Sequence, residues 1–134
     1  MENKARILKL PEIINNRGSL SYIETHRHVP FDIKRVFWIY DVPGGEIRGG
    51  HAYQEQHEFI IALSGSFDVI VDDGFNTQKF SLNRSYFGLL IPALNWRQLE
   101  NFSTNALSLH LSSKEYDYDD YIREYEKFLE LVKK

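Results

Sequence analysis

Short apolar segments separated by turn-forming residues make up most of the chain. Six of them are rich in aromatic and β-branched residues: Arg35–Tyr40, Glu58–Leu63, Phe67–Val71, Thr77–Leu82, Tyr86–Ile91 and Ala106–Leu111. Many short strands punctuated by Gly, Asn, Asp and Pro are typical of an all-β sandwich or barrel. The Asp-Asp-Gly sequence at 72–74 predicts a hairpin between the third and fourth segments, because Asp and Gly tolerate the positive φ angles of tight turns.

The spacing of the apolar residues changes after Ser112. They then recur at intervals of three and four residues, at Ile122, Tyr125, Phe128, Leu129 and Val132. This period predicts an amphipathic helix over about 118–133, with Asp119 or Asp120 as its N-cap. We therefore expect one domain over residues 1–134, with a β-barrel over about 1–112 and the helix packed on its outside.

Composition narrows the class of protein. The 134 residues are 43% hydrophobic and 26% charged, which is ordinary for one globular domain. A formal charge of -3 argues against a nucleic-acid partner. No apolar run approaches the roughly 20 residues that span a bilayer, and the N-terminus lacks signal-peptide character, so we expect a cytoplasmic protein without a membrane partner. The absence of cysteine excludes disulfides, thiolate metal sites and a cysteine nucleophile.

The densest polar stretch of the chain spans 48–58 and is the candidate site. His51 and Tyr53 are two residues apart, so they share a face if this stretch is a strand. Glu58 can join them only across a turn or a bulge. A histidine, a tyrosine and a glutamate that converge inside a barrel form a set suited to proton transfer.

This stretch resembles the first motif of the cupin superfamily, in which a Gly-led His-x-His is followed by Glu and, six residues later, by Gly. Here Tyr53 replaces the second histidine, while Glu58 and Gly65 match. The second cupin motif is weaker, with Arg97 where the family usually has a metal-binding histidine. The resemblance implies a double-stranded β-helix, the cupin jelly-roll barrel.

The two replaced positions bear on metal binding. A typical cupin metal site uses three histidines and one glutamate, whereas this chain has Tyr53 and Arg97 at two of the four places. A guanidinium cation repels a divalent ion. His57 is no substitute ligand, since it neighbours Glu58 and should point to the opposite face. We therefore predict a protein without metal or other cofactor.

Nearly the whole chain is also similar to the nucleotide-sugar 3,4-ketoisomerases, cupins that convert dTDP-4-keto-6-deoxyglucose to a 3-keto sugar. The similar stretches are Ile14–Leu20, Pro30–Val36, Arg48–Ala52, Leu63–Ser66, Asp72–Gly74, Asn95–Arg97 and Tyr116–Arg123. The resemblance implies a dTDP-sugar isomerase of deoxysugar biosynthesis, serving a lipopolysaccharide, another surface glycan or an antibiotic.

The resemblance also implies roles for residues. His51 is the catalytic base, and Tyr53, where the family commonly has a second histidine, relays a proton or stabilises charge on the sugar oxygens. The predicted substrate-binding residues are Arg17 and Arg97 at the sugar, Arg48 at the diphosphate, Trp96 at the thymine or sugar, and Glu58. The keto shift needs no redox cofactor, because oxidation at one carbon balances reduction at the next.

Several of these residues have a purely structural alternative. Arg48 can pair with Asp41 or Glu46 on the surface, Trp96 can belong to the core, and Glu58 can bind backbone or orient His51. Four histidines without a partner pattern are interpreted as solvated or structural: His26, His28, His57 and His110. The tyrosine-rich stretch 116–125 is interpreted as the packing face of the helix, with a surface for a partner as the alternative.

Two alternative functions remain open at this point, as does the oligomeric state. A nucleotide-sugar 3,5-epimerase also has an Arg-Gly-x-His segment in a cupin barrel, and a cupin with Tyr53 in place of histidine can bind a nucleotide sugar without turning it over. The resemblance implies a homodimer, in which the N-terminal strand can be exchanged between subunits. An apolar N-terminal pattern is compatible with exchange or with burial in one chain: Ile7, Leu8, Leu10, Ile13 and Ile14.

Overall fold

The computed structural model describes residues 2–133, which form two packed five-stranded antiparallel sheets, a small hairpin and one helix. The strands are β1 (Arg6–Lys9), β2 (Glu12–Ile13), β3 (Leu20–Ser21), β4 (Arg35–Ile39), β5 (Arg48–Tyr53), β6 (Glu58–Ser64), β7 (Phe67–Asp72), β8 (Thr77–Leu82), β9 (Phe87–Ile91), β10 (Trp96–Glu100), β11 (Leu107–Ser112) and β12 (Tyr121–Ile122). The helix is α1 (Tyr125–Val132). The predicted fold class, mostly β with a C-terminal helix, is confirmed.

The strand order is β1-β9-β6-β11-β4 in the first sheet and β12-β5-β10-β7-β8 in the second, while β2 and β3 form the hairpin. Each sheet ends in edge strands, so the predicted barrel is an open sandwich of two sheets. The hairpin predicted at 72–74 is confirmed: it joins β7 to β8, and Gly74 has a φ of 97°. Asp73 accepts hydrogen bonds there from the backbone N–H groups of Phe75 and Asn76.

The main core lies between the two sheets. On β7 the alternate residues Phe67, Val69 and Val71 face inward against Ile60 of β6 and Leu89 of β9. Burying a side chain of this size contributes about 1.5–3 kcal/mol to folding. This layer fixes the spacing of the sheets and so places the strands that carry the polar residues.

A second apolar cluster covers the outer face of β6 and β9. Phe59, Ile61 and Leu90 pack there against Val29 and Phe31 of the segment before β4. Because β6 is buried on both faces, its sequence is a continuous apolar run rather than an alternation.

The C-terminal segment differs from the sequence prediction. The helix predicted over about 118–133 is a 3-10 turn (Tyr118–Asp120), then β12, then α1, which starts only at Tyr125. The predicted start was wrong because β12 pairs with β5 and holds the chain extended. Glu124 precedes α1 with extended backbone angles and is its N-cap.

The two aspartates predicted as N-caps lie upstream of the helix. Both carboxylate oxygens of Asp120 accept hydrogen bonds from the backbone N–H groups of Glu55 and Gln56, at 2.9 and 3.1 Å. The packing side of the helix was predicted correctly, since Phe128 is fully buried against Ala52 and Ile122 on the outer face of the second sheet. Across residues 2–133, no helix is long and apolar enough to cross a membrane.

Candidate active site

The candidate site starts on β5, whose alternate side chains point between the sheets. His51 and Tyr53 lie on this inner face with ring centroids 4.8 Å apart, as the sequence predicts, while Ala52 between them packs under α1. Gly49, earlier on the same strand, has a φ of 70°, and a side chain there would collide with the guanidinium of Arg97. Glycine at this position therefore lets Arg97 lie beside His51.

Arg97 and Glu58 form a buried ion pair that links the two sheets. Arg97 lies on β10 opposite His51 of β5, and Glu58 begins β6 of the other sheet after a short turn. The Arg97 Nε and Nη2 groups donate to the two Glu58 oxygens at 2.8 Å each. Glu58 thus joins the site across a turn, as expected, but its partners are Arg97 and His110 rather than His51.

His110 of β11 completes this buried set and was missed as a site residue. Its Nδ1 lies 2.8 Å from Glu58 Oε2 and its Nε2 lies 2.9 Å from Ser108 Oγ. With Nδ1 protonated and donating to Glu58, Nε2 accepts from the Ser108 hydroxyl. His110 is therefore a satisfied structural histidine, as interpreted. The inward position of His110 could have been predicted from the sequence of β11, in which Ser108, His110 and Ser112 alternate with leucines and so share one face.

The electrostatics of the set keep its groups in definite protonation states. Burial raises the pKa of Glu58, but the Arg97 charge and the hydrogen bond from His110 outweigh it and hold this pKa far below its usual value. Burial and the Arg97 charge together lower the pKa of His51 to about 3, so its imidazole is neutral. Burial raises the pKa of Tyr53 and the Glu58 charge raises it further, so the phenol keeps its proton.

Two polar atoms in this site have no partner. His51 Nε2 and the Tyr53 hydroxyl are buried and make no hydrogen bond within the described part of the chain. Each such orphan costs about 1–3 kcal/mol, and native proteins retain few of them. Their positions, side by side on one strand, are therefore suited to hydrogen bonds with a bound ligand.

Tyr121 of β12 covers this pair and was also missed. Its ring centroid lies 4.9 Å from that of His51 and 4.8 Å from that of Tyr53. The Arg123 guanidinium lies over the Tyr121 ring, with its central carbon 4.4 Å from the ring centroid. The sequence places Tyr121 in a tyrosine-rich stretch that was interpreted as helix packing, and only the pairing of β12 with β5 brings it into the site.

Comparison with known proteins identifies the family. A family model described as "FdtA: WxcM-like, C-terminal" matches residues 3–133. A curated TDP-4-oxo-6-deoxy-alpha-D-glucose-3,4-oxoisomerase from Aneurinibacillus thermoaerophilus is 39% identical over 134 residues, covering 100% of this chain and 95% of the relative. The chain belongs to the WxcM-like sugar 3,4-ketoisomerases.

Solved ketoisomerases have the same fold along the whole chain. A 3,4-ketoisomerase from Helicobacter canadensis is similar with a TM-score of 0.95 and 38% identity, over 99% of this chain and 100% of that one. QdtA from Thermoanaerobacterium thermosaccharolyticum was solved as a histidine-to-asparagine mutant in complex with TDP-4-keto-6-deoxyglucose. It is similar with a TM-score of 0.95 and 32% identity, over 99% of this chain and 96% of that one. The rmlC epimerase of Mycobacterium tuberculosis, at 18% identity and a TM-score of 0.75 over 87% of this chain and 66% of that one, shares the fold.

The site of this ketoisomerase does not fit the metal of a typical cupin. Both oxygens of Glu58 are bound by Arg97, one of them also by His110, so its carboxylate is not free to ligate. The Arg97 guanidinium stands beside His51, where its charge opposes a divalent cation. Residues 2–133 contain no group of three His, Cys, Asp or Glu side chains placed to hold a metal ion.

Three residues predicted to bind substrate lie outside this group in the described chain. Trp96 points to the opposite face of β10 from Arg97 and packs edge-on against Tyr125 of α1 at 5.4 Å, which matches the structural alternative. Arg48 is exposed at the start of β5 and makes no ion pair with the neighbouring acids in the structure described. Arg17 lies in the exposed turn between β2 and β3, where its backbone N–H donates to Asn15.

Proposed function

We propose that this ketoisomerase moves the keto group of TDP-4-keto-6-deoxyglucose from C4 to C3, without a metal, as a step of deoxysugar biosynthesis. The observation that carries the proposal is the pair of buried, unpartnered polar atoms on His51 and Tyr53 beside the fixed cation of Arg97. Curated and solved relatives with this activity, one of them bound to this sugar nucleotide, support the substrate.

His51 serves as the base in this proposal. Its neutral imidazole takes the proton from C3, the C3–H electron pair forms the C3–C4 double bond, and the carbonyl electrons move to O4. A base with a pKa near 3 is weak in the free protein. The negative charges of the bound diphosphate and of the developing enediolate raise its proton affinity, so that it becomes effective once the substrate is bound.

Arg97 and Tyr53 stabilise the charge that develops on oxygen. A guanidinium has five N–H groups, and Arg97 uses three of them on Glu58 and on the Gly49 carbonyl, which leaves two for a sugar oxygen. The protonated Tyr53 phenol donates to O4. The His51 imidazolium then returns its proton to C4, while the Tyr53 phenol gives its proton to O4 and takes the O3 proton in exchange as the C3–O3 double bond forms. The product therefore carries a C3 ketone and a C4 hydroxyl, and both side chains end in their starting states.

The decisive experiment incubates the protein with TDP-4-keto-6-deoxyglucose, alone and coupled to a 3-aminotransferase. We expect an aminated 3-amino sugar from the wild type and from His26→Asn, a control at an exposed histidine, and no product from His51→Asn. Proton NMR separates the epimerase alternative, since epimerisation leaves the ketone at C4. If the wild type is inactive while TDP still raises its melting temperature, the chain is a binding module and the proposal fails.

We further propose that the enzyme is a cytoplasmic homodimer in which the two copies pair through β4. This strand is an unpaired edge of the first sheet, and its outward side chains are Val36 and Trp38, followed by Tyr40, with exposed fractions of 47%, 56% and 63%. An open edge with an apolar face is self-complementary about a twofold axis, because antiparallel copies of one strand can pair with each other. Within one chain β1 pairs with β9, and exchange of β1 between the two copies is the alternative arrangement of the dimer.

A further inference from the structure

We infer that Tyr121 is a positioning residue for catalysis: its hydroxyl orients the Tyr53 hydroxyl so that Tyr53 donates its proton toward the sugar. The inference rests on the proposed function and adds a residue from the C-terminal segment to the site. It starts from a contact of three aromatic rings, in which Tyr121 touches both His51 and Tyr53 at centroid distances below 5 Å.

The direction of hydrogen bonding follows from Arg35. Its Nη2 group donates to the Tyr121 hydroxyl oxygen at 3.2 Å. An arginine has only donors, so the Tyr121 oxygen accepts and its own hydrogen must point away from the guanidinium. Among residues 2–133 no acceptor takes that hydrogen. Tyr121 therefore offers a donor whose orientation is set by Arg35.

The Tyr53 oxygen is the acceptor that fits. The Tyr53 hydroxyl is buried and has no well-aligned partner within the described structure, and its phenol lies near enough to Tyr121 for the two groups to interact. When Tyr121 donates to this oxygen, the Tyr53 hydrogen can no longer point back toward β12. A chain of donors then runs from Arg35 through Tyr121 and Tyr53 to the substrate, each oxygen accepting one hydrogen bond and donating the next.

The backbone holds Tyr121 in this place. Tyr121 is the direct cross-strand partner of Tyr53 in the pairing of β12 with β5. Just before it, the Asp120 carboxylate binds two backbone N–H groups of the turn that follows β5. Because one anchor is β5 itself and the other is the turn that directly follows β5, the three side chains keep their relative positions.

The test is Tyr121→Phe, which keeps the ring and removes the hydroxyl. We expect kcat to fall about tenfold, equivalent to ~1.4 kcal/mol, with KM changed by less than about threefold. Tyr118→Phe, at an exposed tyrosine three residues away, is the matched control and should keep wild-type kcat. A residue that only supported the fold would change melting temperature and KM along with kcat.

Two further comparisons between variants test the proposed chain of donors. Tyr53→Phe/Tyr121→Phe should be no slower than Tyr53→Phe alone, because Tyr121 acts through Tyr53. Arg35→Lys, which keeps a donor, should lose less activity than Arg35→Met. The inference is overturned if Tyr121→Phe keeps wild-type kcat or if the two Tyr→Phe losses multiply. An inactive wild type would instead show that the proposed function has failed, and this inference with it.

Discussion

Individual residues of the site are held in the protonation states that the proposed reaction needs. Glu58 is shared by Arg97 and His110, so the buried carboxylate is fully bonded and its charge is matched by one guanidinium. That fixed cation also helps to keep His51 neutral. The buried ion pair therefore supports the structure, and its cation acts together with burial to keep the base neutral.

The first prediction concerns stability against pH. An unfolded histidine binds a proton below about pH 6.5, whereas folded His51 does so only below about 3. Between these values the unfolded state holds more protons, so the stability present above pH 6.5 is lost as the pH falls, by up to ~1.4 kcal/mol per pH unit. Urea denaturation at pH 7.5 and 5.5 should show a smaller drop for His51→Asn than for wild type.

The comparison has an internal control at higher pH. Between pH 7.5 and 8.5, above the range in which histidines titrate, wild type and His51→Asn should respond alike. An equal drop for both proteins between pH 7.5 and 5.5 would show that His51 takes no part in the acid sensitivity. The neutral buried state assigned to His51 would then be incorrect.

Among the elements, the two-residue strand β12 supplies the side chain that covers His51 and Tyr53. Its two residues extend the second sheet beside β5, and the preceding Asp120 ties the segment to the turn after β5. Hydrogen bonds to a charged group contribute about 1.5–3 kcal/mol each. The carboxylate of Asp120 is therefore the main polar anchor of the C-terminal segment.

The second prediction tests this anchor. Asp120→Asn keeps the size of the side chain but removes its charge and one acceptor, so we expect a loss of about 1–3 kcal/mol in the free energy of unfolding, measured in urea. The segment should also become more sensitive to limited proteolysis. Asp119→Asn, at the exposed neighbour, is the control and should change stability by less than about 0.5 kcal/mol. Equal effects of the two substitutions would contradict the anchoring role.

Local features of the fold were predictable from the sequence, and non-local ones were not. The hairpin at 72–74 depends on the φ angles of adjacent residues, and the shared face of His51 and Tyr53 depends on strand alternation. The start of α1 depends on pairing with a strand far away in the chain, which no apolar period encodes. The rule that neighbours on a strand face opposite ways could also have separated Trp96 from Arg97, but the sequence analysis predicted that both bind substrate.

At the scale of the whole molecule, the open edge at β4 is the proposed binding surface for a second copy of the chain. The third prediction is that the protein sediments as a dimer and that Trp38→Glu shifts it to a monomer, because a charge at the centre of an apolar interface is costly to bury. Phe75→Glu, at an exposed aromatic residue on the β7–β8 hairpin, is the matched control and should leave the dimer intact. A monomeric wild type, or a dimer that tolerates Trp38→Glu, would contradict the proposed interface.

The pairing of β12 with β5 also affects the order of events during folding. The core shared by the two sheets contains residues up to Ala106 and none from β12 or α1, so it can assemble before the C-terminal segment joins the second sheet. β12 pairs with β5, so Tyr121 can cover His51 and Tyr53 only once β5 is in place. We therefore expect a late step in refolding, in which a compact but inactive intermediate gains activity as the last strand attaches.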